Sequence, residues 1–109
     1  MNIDWPEMER AFKYLGDTDD SCAHAKALVE FLRLKTKTIK ATLFLDENNG
    51  KSVADKESYA YSHEKYVEHL DKIRDAVYDY ELQHNKRERA NLIVDVWRST
   101  NANRRAGNI

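Results

Sequence analysis

The feature that most constrains this chain is residues 62–101, which contain neither proline nor glycine. Nothing in that stretch breaks a helix. Its first half carries Tyr66, Leu70, Ile73, Val77 and Tyr80 at alternating spacings of four and three, the period of a helical seam. Its second half turns polar and then ends in Leu92, Ile93, Val94, Val96 and Trp97. As one helix it is roughly 60 Å long at ~1.5 Å per residue. A domain of this size is about 30 Å across. The expectation is a helix that overhangs its own domain, with an apolar far end that something must cover.

The few helix breakers divide the rest. Gly16, Gly50 and Gly107 are the only glycines and Pro6 the only proline. Residues 4–15 read as a short N-terminal helix. Asp4 caps it with Glu7 three residues on, and Pro6 is tolerable in a first turn. Trp5, Met8, Phe12 and Leu15 share one face, and Gly16 is the expected stop. A second helix then opens at Thr18 among Asp17, Asp19 and Asp20, acids that suit the positive end of a helix dipole. It runs to about Glu47 with Cys22, Ala25, Val29, Leu32, Ile39 and Leu43 along an approximate seam.

Residues 46–50 form a turn by composition. They partly imitate a calcium loop, but Gly50 stands where a side-chain ligand is needed. Ser52 is the next cap candidate, with Asp55 as its partner. Whether the chain bends at Ser62 or runs straight through stays open. The fold expected is all-α: an antiparallel helical hairpin with one long overhanging helix and a short N-terminal helix. A short turn makes the two long segments antiparallel neighbours whose residue numbers sum to about 100. Leu32 then lies near Tyr66, Ala25 near Ile73 or Ala76, and Cys22 near Val77. Residues 1–103 form a single helical domain in this reading, and 104–109 a flexible basic tail.

Little in the chain suggests chemistry. His24, His63, His69 and His84 are scattered, with no pair at metal-ligand spacing. There is no glycine-rich phosphate loop, nucleophile elbow or CxxC pair. The expectation is a protein that is not an enzyme and needs no metal or cofactor. The lone Cys22 suits a reducing compartment, and no apolar run approaches a membrane span. Both point to the cytoplasm.

Charge is more informative. The total is −1. Residues 84–109 carry Lys86, Arg87, Arg89, Arg98, Arg104 and Arg105 against Glu88 and Asp95, a net of +4, which leaves −5 for the rest. Such segregation suggests a nucleic-acid backbone as partner, since arginine pairs with phosphate and stacks on bases. It is equally compatible with a solvated helix face. Trp97 beside Arg98 reads either as a stacking platform or as a core anchor. Exposed Tyr80, Ile93, Val94 and Trp97 would make a sticky surface, so copies of the chain are expected to meet there as a homo-oligomer, except where Trp5, Phe12 and Leu15 cover part of it.

A resemblance joins these features. The lysine-rich LKTKTIKATLFL (residues 34–45), a glycine turn, and the long charged HLDKIRDAVYDYELQHNKRERANLIVDVWRS are similar in layout to the UvsY-type recombination mediators of large tailed phages. The resemblance covers residues 27–105. It implies a ring-like oligomer in the host cytoplasm that binds single-stranded DNA. Such a protein helps load a recombinase or annealing protein onto strands coated with single-strand-binding protein. It also implies that Lys35, Lys37 and Lys40 contact DNA. Two alternatives remain: a phage protein-interaction module that occludes a host defence or repair enzyme, and a structural phage component.

Overall fold

The computed structural model describes residues 2–46 and 51–107. The described chain is three helices: α1 (Trp5–Asp46), α2 (Val53–Ser62) and α3 (Glu64–Arg105). The all-α class and the antiparallel hairpin stand, with α1 and α3 as its arms. The allocation of residues to helices differs from the expectation. Gly16 does not end a helix; α1 runs through it for 42 residues. A glycine inside a helix costs only about 1 kcal/mol against alanine, and the burial of a seam on both sides offsets that.

The seam is regular. Along α1, Met8, Ala11, Leu15, Thr18, Cys22, Ala25, Val29, Leu32, Thr36, Ile39 and Leu43 recur at alternating intervals of three and four, and every one is buried or half-buried. Along α3 the matching set is Tyr66, His69, Ile73, Ala76, Tyr80, Gln83, Arg87, Ala90, Val94 and Trp97. This is a two-helix heptad pattern. Pairs seen in contact are Trp5 with Trp97, Leu15 with Arg87, Ser21 with Gln83, and Leu32 with His69. Their numbers sum to slightly above 100, the register expected from a short turn. The turn itself, residues 47–50, lies outside the described residues.

Two compact units divide the hairpin: residues 1–23 with 81–109, and residues 24–80. In the first, Ile3, Met8 and Ala11 are buried with Ala90 and Val94, and Tyr14, Leu15, Ile93, Val96 and Trp97 pack around them. The far end of α3 therefore does not overhang. The residues expected in a separate N-terminal helix are the first turns of α1, and they cover it. Trp5 and Trp97 meet edge to face at 5.2 Å, a geometry aromatic pairs favour. In the second unit, Ala25, Val29, Leu43, Ala60 and Ala76 are buried. Small residues predominate, which lets helix backbones approach closely and leaves few large side chains inside.

Local caps follow the sequence. Asp4 Oδ1 accepts from Glu7 N at 2.9 Å. Ser52 Oγ accepts from Asp55 N at 3.1 Å at the start of α2. The chain bends after Ser62, because His63 is extended and its Nδ1 caps α3 by accepting from Lys65 N at 3.0 Å. Thr18 caps nothing: its hydroxyl donates to Tyr14 O within α1 at 2.7 Å. Arg104 and Arg105, expected in the tail, are the last residues of α3. The helix closes at Gly107, whose φ of +82° suits glycine as a terminator.

Candidate nucleic-acid interface

A helix places residues three and four apart on one face. In the unit of residues 1–23 and 81–109 this rule sorts the basic cluster into three groups. Lys86 and Arg89 stand on one edge of α3, where they line a surface groove with Glu7, Arg10, Ala11, Tyr14, Ala90 and Ile93. Arg104 lies seven residues beyond Trp97, in the last turn of α3. Arg98 stands on the other edge, in an apolar cleft with Trp5, Met8, Glu9, Phe12, Val94 and Trp97. Arg105 lies seven residues beyond Arg98, on the same edge.

Arg87 belongs to neither edge. It points into the seam, with 19% of its side chain exposed. Nη1 donates to Leu15 O and to Thr18 Oγ1, both at 2.7 Å, and Nη2 donates to Asp19 Oδ1 at 3.3 Å. The guanidinium is committed to α1, which corrects the expectation that Arg87 is a phosphate contact. Asp19, read as helix-start chemistry, is instead its mid-helix counter-charge.

The groove beside Tyr14 gathers positive charge from both helices of this unit. Arg10, Lys86 and Arg89 surround it against the single carboxylate of Glu7. Among the described residues none of the three cations has an ion-pair partner. Tyr14 is half-buried against the apolar cluster, which holds its ring as a fixed wall. Arg10 and Tyr14 were missed from sequence because they precede the basic segment. Their signal was the spacing of four that sets both on one face of α1.

In the unit of residues 24–80 the three lysines implied by the resemblance do not all share one face of α1. Lys35 and Lys37 are two residues apart and so project from nearly opposite sides of α1. Lys35 joins Lys65 and Lys72 around a groove that also holds Glu68, His69 and Asp46. Lys40 is held by α2: its ammonium donates to the Tyr61 hydroxyl and sits 4.3 Å from that ring's centroid. The hydrogen bond to Tyr61 raises the Lys40 pKa above the ordinary lysine value of 10.5. Lys40 is therefore engaged by its own chain.

The expected oligomer surface is also largely taken up within one molecule. Val94 is 6% exposed in the apolar cluster, and Ile93 and Trp97 pack against it. Tyr80 is a half-buried seam residue of the other unit. The chain matches no family model, no curated protein and no solved structure. Among the described residues no helix is long and apolar enough to cross a membrane.

Proposed function

We propose that the protein binds the phosphate backbone of single-stranded DNA through the Arg10, Lys86 and Arg89 groove, and serves as an accessory to a recombinase or annealing protein. The observation that carries this reading is the convergence on one groove, walled by an aromatic ring, of three cations from two helices that have no ion-pair partner among the described residues. A flexible strand can lay phosphates along the cations, and a base can stack on the Tyr14 ring. The layout shared with phage recombination mediators supplies the biological setting.

The test is fluorescence anisotropy of a labelled oligothymidylate at several salt concentrations. Neutralising three phosphates per chain gives a slope of log K against log salt of about −2 for a single strand. Charge reversal of Arg10, Lys86 and Arg89 together should abolish binding, with helicity by circular dichroism unchanged. Arg87→Ala should leave binding by the folded fraction unaltered. Flat salt dependence, or binding indifferent to the triple reversal, sinks the reading.

One observation favours a second reading. The cleft of Trp5, Phe12, Val94 and Trp97 leaves Trp5 and Phe12 more than half exposed, which suits docking of a protein segment and hence the occlusion of a host enzyme. Recovery of one protein from host lysate, resistant to nuclease and lost on Phe12→Ser, selects that reading over the first.

A further inference from the structure

The inward face of α1 accounts for only half of its apolar pattern. A second stripe runs along the same helix at His24, Ala27, Phe31, Leu34, Thr38, Ala41 and Leu45, again at alternating intervals of three and four. On a helix this stripe is turned about 160° away from the inward seam at Ala25, Val29, Leu32 and Leu43. Every one of its residues is exposed, and its large members stand out: Phe31 is 58% exposed, Leu34 73% and Leu45 71%. Neither other helix of the unit covers it. α3 lies on the inward seam, and α2 meets α1 through Lys40 and Phe44 on a third side.

A three-heptad apolar stripe on an already folded helix has no role in the hairpin. It has the form of a coiled-coil seam. Phe31, Thr38 and Leu45 take the a positions and Ala27, Leu34 and Ala41 the d positions. The flanking positions then identify the partner. Glu30 falls at g and Lys35 at e of the next heptad. A parallel, in-register second copy brings Glu30 of each chain against Lys35 of the other, on both edges of the seam. The next flanking pair, Lys37 with Thr42, carries no repulsion. An antiparallel copy that covers the whole stripe, with Phe31 against Ala41, sets Lys35 against Lys35 and Lys37 against Lys37. Glu30 has no ion pair among the described residues, and Lys35 lies over the Phe31 ring at 5.9 Å, beside the stripe.

We infer that the chain forms a parallel homodimer through the outward stripe of α1, centred on Phe31 and Leu34, with reciprocal Glu30–Lys35 pairs fixing register. The interface expected at Tyr80 and residues 93–97 is thereby replaced by one on the opposite arm of the hairpin. The inference does not rest on the DNA reading, and its test uses no nucleic acid.

The test is sedimentation equilibrium of the full chain from about 1 to 200 µM, a range over which a reversible dimer changes population by mass action. The wild type should dimerise. Leu34→Glu should weaken association about tenfold or more, with helicity and thermal unfolding of the monomer unchanged because Leu34 touches no core. Glu30→Lys and Lys35→Glu should each weaken the dimer, and the double exchange should restore it. In a Cys22→Ser background, Leu34→Cys should form a disulfide-linked dimer in air, which an antiparallel pairing of the whole stripe does not allow. A wild type that stays monomeric throughout overturns the inference. So does a dimer indifferent to Leu34→Glu, or a charge exchange that fails to restore association.

Discussion

Replacing Arg87 with alanine separates a structural arginine from a nucleic-acid one. Its guanidinium makes two 2.7 Å bonds to Leu15 O and Thr18 Oγ1. Hydrogen bonds to a charged group contribute about 1.5–3 kcal/mol each when lost at a buried site. Here the lower end applies, because both acceptors keep bonds within α1 and the side chain is 19% exposed. The Asp19 partner is 81% exposed, so that ion pair adds less than about 1 kcal/mol. The expected loss is about 3 kcal/mol, equivalent to a Tm drop of about 12–24 °C for a domain of this size. Urea unfolding followed by far-UV circular dichroism measures it. Thr18→Val in a double-mutant cycle should show coupling of about 1 kcal/mol. Arg87→Lys should recover less than half the loss, because an ammonium cannot reach both acceptors as a planar fork does. If Arg87→Ala stays within about 0.5 kcal/mol of wild type, the guanidinium does not hold the two arms together and the reasoning fails.

Three further predictions follow from burial and hydrogen bonding. Ala60 is fully buried in α2, so Ala60→Leu should overpack that contact and cost about 1–3 kcal/mol in urea unfolding. His69 is 3% exposed; its Nε2–H donates to Leu32 O at 2.8 Å and lies 2.9 Å from Thr36 Oγ1. Leu32 O also accepts from Thr36 Oγ1, so His69→Leu orphans no group and should change stability by less than about 1 kcal/mol, whereas His69→Ala leaves a void and costs about 2–3 kcal/mol. The raised Lys40 pKa means the Lys40–Tyr61 contact stabilises the fold fully below the unfolded lysine value and loses that effect as pH rises through the folded one. A lysine side-chain NMR titration should place Lys40 above the ordinary value, and Tyr61→Phe should remove the elevation.

Much of the fold is legible in the residues. The absence of breakers in residues 62–101 dictates a long helix, and Asp4 and Ser52 announce their caps because capping is decided within four residues. The hairpin register also follows, since a short turn leaves little freedom in pairing. Less legible was the seam itself. Leu70 looked like a seam residue by hydropathy, yet it is 44% exposed, and the true set passes through His69, Gln83 and Arg87. Those polar residues hide the heptad from any reading that follows apolar side chains alone. The structure explains them: Thr36 and Thr18 interrupt the seam of α1, and His69 and Arg87 stand across from them. Polar residues matched across a seam disfavour shifted registers, which would bury them unpaired.

The sequence by itself determined that this chain is helical, where most of its helices begin, and that its positive charge gathers toward one end. Only the tertiary structure decided that Gly16 lies inside a helix, that the far end of α3 is covered by its own chain, and which cations remain available. The physical reason is that caps and periodicity are local, whereas a glycine's cost and an arginine's commitment depend on what packs against them. Arg87 and Arg89 are near neighbours of the same type. One is spent on α1 and the other lines a groove, because a separation of two on a helix turns them to different faces.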